Sequence, residues 1–350
     1  MSKVVVGIGW GDEGKGLTTS FLCSQTKNPL VVRFNGGQQA GHTVVYENKR
    51  HVFSSFGAGT LQGVPTYWSK YCTFDPCAFL QEYYVLNLNN SPRVYVHPLC
   101  PVTTPFDIFH NRKTEKEKRH GSVGMGFGAT IQRQEDYYKL FVQDLYFESI
   151  LIPKLYAIAE YYGIEHPQED IADFLRSVQK VKSLIQVEDD SIMIGYVPIF
   201  EGAQGILLDM DFGFFPNVTR SNTTSKNAFE FGIDDITDVY YVTRTYATRH
   251  GNGLFLPEED LKLVNNENET NKSHEYQGQF RTANLDINLM NYALQCDSNF
   301  VPGDVRKNLV ITCMDQYPIK VDDLLYKLEA NFHKVYVSYG DSLSAVVQYK

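Results

Sequence analysis

The sequence predicts an α/β protein: a mostly parallel central sheet with helices on both faces, a P-loop-like nucleotide site and a helical insertion. Three observations carry this. A short apolar run, Val4-Val5-Val6, ends in a glycine-rich loop that leads into a helical pattern. Strand-length apolar runs alternate with helix-length segments at both ends of the chain. Between them, residues 136–187 hold long glycine-free stretches with apolar residues at helical spacing.

Taken in order, the first unit reads strand, glycine loop, helix, with Leu17, Phe21 and Leu22 on one face of a helix over Lys15 to Gln25. Leu30 to Phe34 is a second buried strand entering Gly36-Gly37, and Thr43 to Tyr46 and His51 to Phe53 flank Glu47-Asn48-Lys49 as a hairpin. Asp75-Pro76 is an N-cap followed by proline at the first helical position. It opens a helix to about Leu86, after which Val94 to His97 returns as a strand. His110 to His120 carries Arg112, Lys113, Lys116, Lys118 and Arg119 with two glutamates. It reads as a solvated loop, with a mobile arm beside an anionic ligand as the alternative. Asp136 to Gly163 and Gln168 to Val187 form the inserted helical layer. Alternation then resumes through Val197 to Phe200, Tyr240 to Thr245, Leu285 to Leu294, Leu309 to Cys313, Val321 to Leu328 and Val335 to Ser338. Asn265 to Ser273, rich in Asn and Glu, reads as an exposed loop. One domain over residues 1–350 is the expectation, because a single sheet accommodates both alternating ends.

The 350 residues suffice for a sizeable core, and 43% hydrophobic with 21% charged residues excludes a disordered or collagen-like chain. The net charge of −9 speaks against nucleic-acid and anionic-membrane partners, although a local cationic pocket for a phosphorylated ligand stays compatible with it. No apolar run approaches the roughly 20 residues of a membrane span. The N-terminus runs directly into a strand without a signal-peptide pattern, so a cytoplasmic location is expected. Cys23, Cys72, Cys77, Cys100, Cys296 and Cys313 contain no Cys-x-x-Cys pair and read as reduced core thiols rather than metal ligands.

Chemistry concentrates in three strings. Gly9-Trp10-Gly11-Asp12-Glu13-Gly14-Lys15-Gly16 has the phosphate-loop spacing of glycine, four residues, glycine, lysine, placed between strand and helix. Backbone N–H groups and a helix N-terminus cradle phosphate oxygens there, and Lys15 adds a point charge. Gly16 stands where a Ser or Thr would hold magnesium, so Asp12 is the nearest candidate metal ligand or proton acceptor. Arg33 to Thr43, with Asn35-Gly36-Gly37-Gln38-Gln39-Ala40-Gly41-His42, suits close approach of backbone to a nucleotide. Glu201-Gly202-Ala203-Gln204-Gly205 follows an apolar strand, at the sheet edge where α/β proteins place ligands.

These strings, in this order, resemble the adenylosuccinate synthetases. The match continues through Leu207-Leu208-Asp209, Pro216 with Val218-Thr219, Ser221-Asn222-Thr223-Thr224, Ala247-Thr248-Arg249, Arg281-Thr282 with Leu285-Asp286, and Asp315 after a strand. The resemblance implies a carbon–nitrogen ligase of purine biosynthesis. The purine 6-oxygen of inosinate takes the γ-phosphoryl group of a nucleoside triphosphate, and the amine of L-aspartate then displaces phosphate to give adenylosuccinate. It further implies Asp12 as base toward purine N1 and, with the Gly41 carbonyl, as ligand of Mg2+. His42 would donate to the transferring phosphoryl group and Gln204 to the 6-oxygen. Gly11, Glu13, Gly14, Lys15, Gly16 and Thr43 would meet the donor phosphates, and Asp315, Ser338 and Gly340 the donor base. Asn35, Gln39, Ser122, Val123, Thr219 and His250 would line the acceptor nucleotide, and Arg281 and Thr282 would take aspartate. The implied partners are a purine nucleoside monophosphate, GTP or ATP/dATP, L-aspartate and a second copy in a homodimer.

The departures are informative. Ser122-Val123-Gly124-Met125-Gly126 stands where the family has two threonines before glycine-arginine-glycine, and Gln279 and Phe280 stand where further arginines would be. A second carboxylate anchor must come from elsewhere, or aspartate binds weakly. Cys313-Met314 lacks the lysine that would lie along a guanine ring, and Gly340-Asp341 lacks the family's proline. Retention of Asp12, Lys15, His42 and Gln204 argues for an enzyme over a non-catalytic nucleotide-binding regulator. Within the enzyme reading, Asp12 favours inosinate, because a phage branch that condenses aspartate with deoxyguanylate usually has a smaller polar residue there. The altered pockets and short length favour that branch.

Overall fold

The computed structural model describes residues 1–86, 92–118, 121–255, 257–259, 261–264, 276 and 278–350. In chain order its strands are β1 (Ser2–Gly7), β2 (Pro29–Arg33), β3 (His42–Tyr46), β4 (Lys49–Phe53), β5 (Thr66–Trp68), β6 (Val94–Val96) and β7 (Ile185–Val187), then β8 (Val197–Gly205), β9 (Ile236–Arg244), β10 (Ala247–His250), β11 (Phe280–Ala283), β12 (Arg306–Thr312), β13 (Lys334–Ser338) and β14 (Val346–Gln348). The helices are α1 (Lys15–Ser24), α2 (Pro76–Leu86), α3 (Pro105–Lys118), α4 (Phe127–Glu135), α5 (Glu148–Tyr161), α6 (Gln168–Val181), α7 (Lys226–Phe229), α8 (Ile287–Ser298) and α9 (Val321–Lys327).

Ten strands form one sheet in the order β14-β13-β12-β9-β1-β8-β2-β5-β6-β7. Every neighbouring pair is parallel except β13 with β14. Covered on both faces, the central strands are apolar without alternation: Val4, Val5 and Val6 of β1 are fully buried. From β1 the chain winds first toward β2 and later toward β9 and β12, so β1 marks a topological switch. Ligands of open α/β sheets bind outside the carboxyl ends of the strands at that point. The loops after β1, β2, β8, β9, β12 and β13 all leave from this edge, and they contain most of the site residues expected from sequence.

Most of the expected elements form where the sequence places them. At α2, Asp75 Oδ1 accepts from the N–H groups of Cys77 and Ala78 at 2.8 and 3.1 Å, the N-cap geometry expected of Asp-Pro. Three readings are corrected. The basic segment from His110 is helix α3 through Lys118, not a loop. Its start is fixed by Thr104-Pro105-Phe106-Asp107: Asp107 Oδ2 accepts from Thr104 N at 2.7 Å, a capping-box geometry that outweighs the run of charges. Residues 136–147 are not in a long helix; the helix before them, α4, begins at Phe127, and α5 begins only at Glu148. The insertion also returns a strand, β7, as the last strand of the sheet. Strand β5 is new; Thr66-Tyr67-Trp68 is too short for its pattern to register against the neighbouring prolines and glycines. Arg119, His120 and the Asn265 to Ser273 segment lie outside the described residues.

All six cysteines are free, four of them buried, and Cys77 and Cys313 are half-buried. Burial pushes the Cys72 thiol up to about 12. No helix among the described residues is long and apolar enough to cross a membrane.

Candidate active site

The loop after β1 turns on left-handed backbone at Gly11 (φ 103°), Asp12 (φ 64°) and Gly14 (φ 99°), which exposes successive N–H groups at the start of α1. Space excludes larger residues at two positions. A Cβ on Gly14 would lie 2.8 Å from Thr312 Cγ2, and one on Gly16 2.8 Å from His42 Cβ. The Ser or Thr hydroxyl of an ordinary phosphate loop has no room at residue 16, because β3 fills it. Thr312 at the end of β12 also pins the loop, its hydroxyl donating to the Glu13 carbonyl at 2.7 Å. Within the cradle lies a side chain: Glu13 Oε1 accepts from Gly9 N (3.1 Å) and Gly11 N (2.8 Å), while Lys15 Nζ donates to Glu13 Oε2 (2.6 Å).

Beside it, β2, β3 and β8 bring Arg33, His42 and Glu201 together. His42 Nδ1 lies 2.9 Å from Glu201 Oε1, and Arg33 Nη1 lies 3.9 Å from Glu201 Oε2, all three side chains being buried. Burial holds the His42 ring well below its usual range despite the Glu201 charge, with Arg33 and Lys15 adding to the effect, so it is neutral. Burial alone would raise the Glu201 carboxyl, but His42 and Arg33 hold it low. His42 Nε2 is buried without a hydrogen-bond partner, as are the side-chain amides of Gln38 and Gln39 and the Oε1 of Gln204. Gln204 sits on left-handed backbone at φ 60° and its Cα is the nearest contact of a Cβ built on Gly11. Buried polar atoms without a hydrogen-bond partner, on four side chains, thus gather on adjoining loops, an arrangement a folded protein retains at a functional site. Asn35 is committed otherwise: its Oδ1 accepts from Ala203 N at 2.7 Å and its Nδ2 donates to Asn222 O at 3.0 Å, tying the loops together.

Asp12 faces the third wall. Arg244 Nε donates to its carbonyl at 2.6 Å, and His250 Nε2 stands 3.2 Å from its Oδ2. Burial works to raise this carboxyl, but His250, Arg244 and Lys15 together hold it below the usual carboxylate range. His250 ends β10, which pairs antiparallel with β11, carrying Arg281 and Thr282. Arg281 Nη2 donates to the carbonyls of Gly251 (2.5 Å) and Gly253 (3.1 Å), and the Thr282 hydroxyl donates to Glu259 O (2.6 Å). A polar cavity of about 590 Å³ opens here, lined by Arg281, Gln279, Asn252, Glu115 and Lys116 with Gly121, Gly251, Gly253 and Gly278. Its size is that of a small-molecule site. Of the cations of helix α3, Lys116 reaches the rim of this cavity. The Ser122 hydroxyl bonds Asn111 and accepts from Gly124 N, and Ser122 follows Gly121 of the cavity wall in the chain. Thr219 is buried with its N–H on the Leu208 carbonyl, and Thr43 follows His42 along β3.

At the far end of the edge, Met314 N donates to the Ser338 carbonyl at 3.0 Å, which joins the loop holding Asp315 to the one holding Gly340. Gln316 Nε2 donates to Asp315 Oδ2 at 2.7 Å, and the Ser338 hydroxyl donates to Gly340 O at 2.6 Å. Arg33, Glu201 and Arg244 were not foreseen as site residues. The first two stood inside the quoted strings, and their signal was a charge at the end of an otherwise apolar buried strand.

The chain matches the adenylosuccinate synthetase family model over residues 4–316. Curated adenylosuccinate synthetases of Buchnera aphidicola (32% identical, 72% of this chain, 64% of the relative), Picrophilus torridus (30%, 84%, 73%) and Thermoplasma volcanium (32%, 85%, 73%) are similar to it. The chain thus spans 64–73% of the length of these relatives. Among solved structures, the fully ligated adenylosuccinate synthetase of Plasmodium falciparum shares the fold at a TM-score of 0.81 (17% identity, 100% of both chains). The succinoaminodeoxyadenylate synthetase of cyanophage S-2L, bound to dGMP and dATP, shares it at 0.72 (18% identity, 99% of this chain and 95% of that one).

Proposed function

Because the chain belongs to the adenylosuccinate synthetase family, we propose that it ligates L-aspartate to the 6-position of a purine nucleoside monophosphate, inosinate first, at the expense of a nucleoside triphosphate. The observation that carries this reading is the gathering of unpartnered buried polar groups of His42, Gln204, Gln38 and Gln39 beside the glycine loop and Asp12.

Asp12, ionised and facing the cleft, takes the proton from purine N1 as the 6-oxygen becomes nucleophilic. Gln204 faces that oxygen, and His42, its Nδ1 2.9 Å from the Glu201 carboxylate, faces the transferring phosphoryl group through Nε2. Preorganised groups of this kind lower such barriers by about 3–4 kcal/mol each. The 6-oxygen attacks the γ-phosphorus and the nucleoside diphosphate leaves; the amine of aspartate then attacks C6, losing a proton, as the C6–O bond breaks and inorganic phosphate leaves. The loop amides and Lys15 hold the donor phosphates, with Gly14, Gly16 and Thr43 shaping the cradle. Gln39, Ser122, Val123 and Thr219 line the acceptor, and Arg281 with Thr282 receives aspartate in the glycine-walled cavity. Asp12, ionised and partly exposed to the cleft, and the Gly41 carbonyl would be oxygen donors of the kind magnesium takes. A cation held by one carboxylate, substrate phosphates and waters would offset phosphate charge there. The protein acts in this reading as a cytoplasmic homodimer.

The test is phosphate release and product formation with four acceptors (IMP, dIMP, GMP, dGMP) crossed with ATP and GTP. Turnover is expected to require magnesium, a purine monophosphate and L-aspartate together. Steady triphosphate hydrolysis without acceptor would overturn the ligase reading, and turnover confined to dGMP would move the chain to the phage-type reaction. Asp12→Ala is expected to fold and to lose nearly all activity.

A further inference from the structure

We infer that His250 is a positioning residue for Asp12, holding its carboxylate in the orientation that proton transfer needs; this rests on the reading of Asp12 as the base. The Asp12 backbone is fixed by its left-handed turn and by Arg244 on its carbonyl, but neither constrains the side chain. That side chain is 27% exposed to the cleft, and among the described residues the His250 ring is the only side chain paired with its carboxylate. The ring itself is rigidly mounted. It ends β10 opposite Phe280 of β11, whose ring lies 5.0 Å away. The preceding Arg249 is buried over the Trp10 indole at 3.9 Å and bonded to the carbonyls of Asn252, Leu254 and Asn217. His250 Nδ1 is buried without a partner, so the contact of its Nε2 with Asp12 Oδ2, at 3.2 Å, is the polar contact the ring makes here. The loop glycines alone leave a carboxylate free to rotate; an imidazole mounted on a separate ribbon removes that freedom. Misplacement of a reacting group by about 1 Å costs up to about a hundredfold in rate, which is the scale of what such a mount protects.

The experiment compares wild type, His250→Leu and His250→Gln, the last returning an amide N–H near the Nε2 position. Expected is a fall in kcat of about tenfold or more for H250L, with KM for the monophosphate within about twofold, and recovery of most of the loss in H250Q. A second readout is independent of turnover: ring 15N resonances of His250 in wild type and Asp12→Asn, where loss of the carboxylate is expected to shift Nε2 and not Nδ1. A large rise in KM with unchanged kcat in H250L would make His250 a ligand contact and overturn the inference, as would unchanged kinetics or a ring indifferent to Asp12→Asn. If wild type shows no aspartate-dependent phosphate release, the proposed function fails, while the ring resonances still decide whether the pair exists.

Discussion

The carboxylate of Glu13 meets the ammonium of Lys15 at 2.6 Å inside the glycine loop, with both side chains about 95% buried. With Gly9 N and Gly11 N on its other oxygen, Glu13 occupies the donors that a phosphate would use. The loop therefore carries its own anion, and on the proposed reading a triphosphate would displace it from Lys15. Glu13→Ala strands a buried ammonium and is expected to destabilise the protein by about 3–5 kcal/mol. Triphosphate restores the missing charge, so its stabilising shift in Tm is expected to be larger in E13A than in wild type. Equal shifts would show that the phosphates and Glu13 do not share donors.

Glu201 serves two charges, and the two can be separated. Glu201→Gln leaves Arg33 buried over the Trp68 ring without its carboxylate and is expected to lower stability by about 3 kcal/mol and turnover by at least about tenfold. Adding Arg33→Met, which packs against the same indole, is expected to restore Tm and not turnover. Recovery of both in the double variant would mean that Glu201 acts only on folding.

The site was legible where backbone geometry dictates residue type. Left-handed turns and close approaches at Gly11, Gly14 and Gly16 leave a glycine pattern that no other element produces. Strands buried on both faces, such as Val4-Val5-Val6, read equally clearly. Partnerships between distant segments did not. Nothing local ties Asp12 to His250, 238 positions away, or Glu13 to the cradle it fills. Helix α3 was misread because its charges line a solvated face, and the cap at Thr104 and Asp107 that decides it precedes them in the chain.

Asp75 offers a test of α2 against pH. Burial pushes its carboxyl up to about 6 from 3.8, outweighing the stabilising N–H groups of Ala78 and Cys77, and the Asp107 charge adds to the rise. The folded state therefore binds more protons than the unfolded state between those values, and stability falls as pH rises through them, by about 3 kcal/mol at most. Asp75→Asn keeps an oxygen for the cap and loses the charge. Denaturant unfolding is expected to find it more stable than wild type at pH 7.5, with the difference gone at pH 4. A constant difference at both pH values would place its cause elsewhere.

On the proposed reading, donor choice turns on Asp315. A carboxylate that selects guanine must offer both oxygens to the N1 and 2-amino hydrogens, and a site that keeps all its guanine contacts rejects adenine by leaving buried groups unpaired. Here Gln316 already donates to Asp315 Oδ2 at 2.7 Å, and Cys313, on left-handed backbone at φ 64°, has no stem to lie along a ring. Across the edge, Asp341 is drawn to Arg50 at 2.5 Å, and Tyr339 is about half exposed. A pocket with its carboxylate diverted discriminates poorly. ATP or dATP is therefore expected to support turnover within about tenfold of GTP, a difference of about 1.4 kcal/mol or less. Gln316→Ala releases the carboxylate and is expected to raise the GTP preference several-fold. The ratio of kcat/KM for GTP over ATP at saturating acceptor and aspartate decides the matter. A wild-type preference for GTP beyond about a hundredfold would show that Asp315 reads guanine with Gln316 in place.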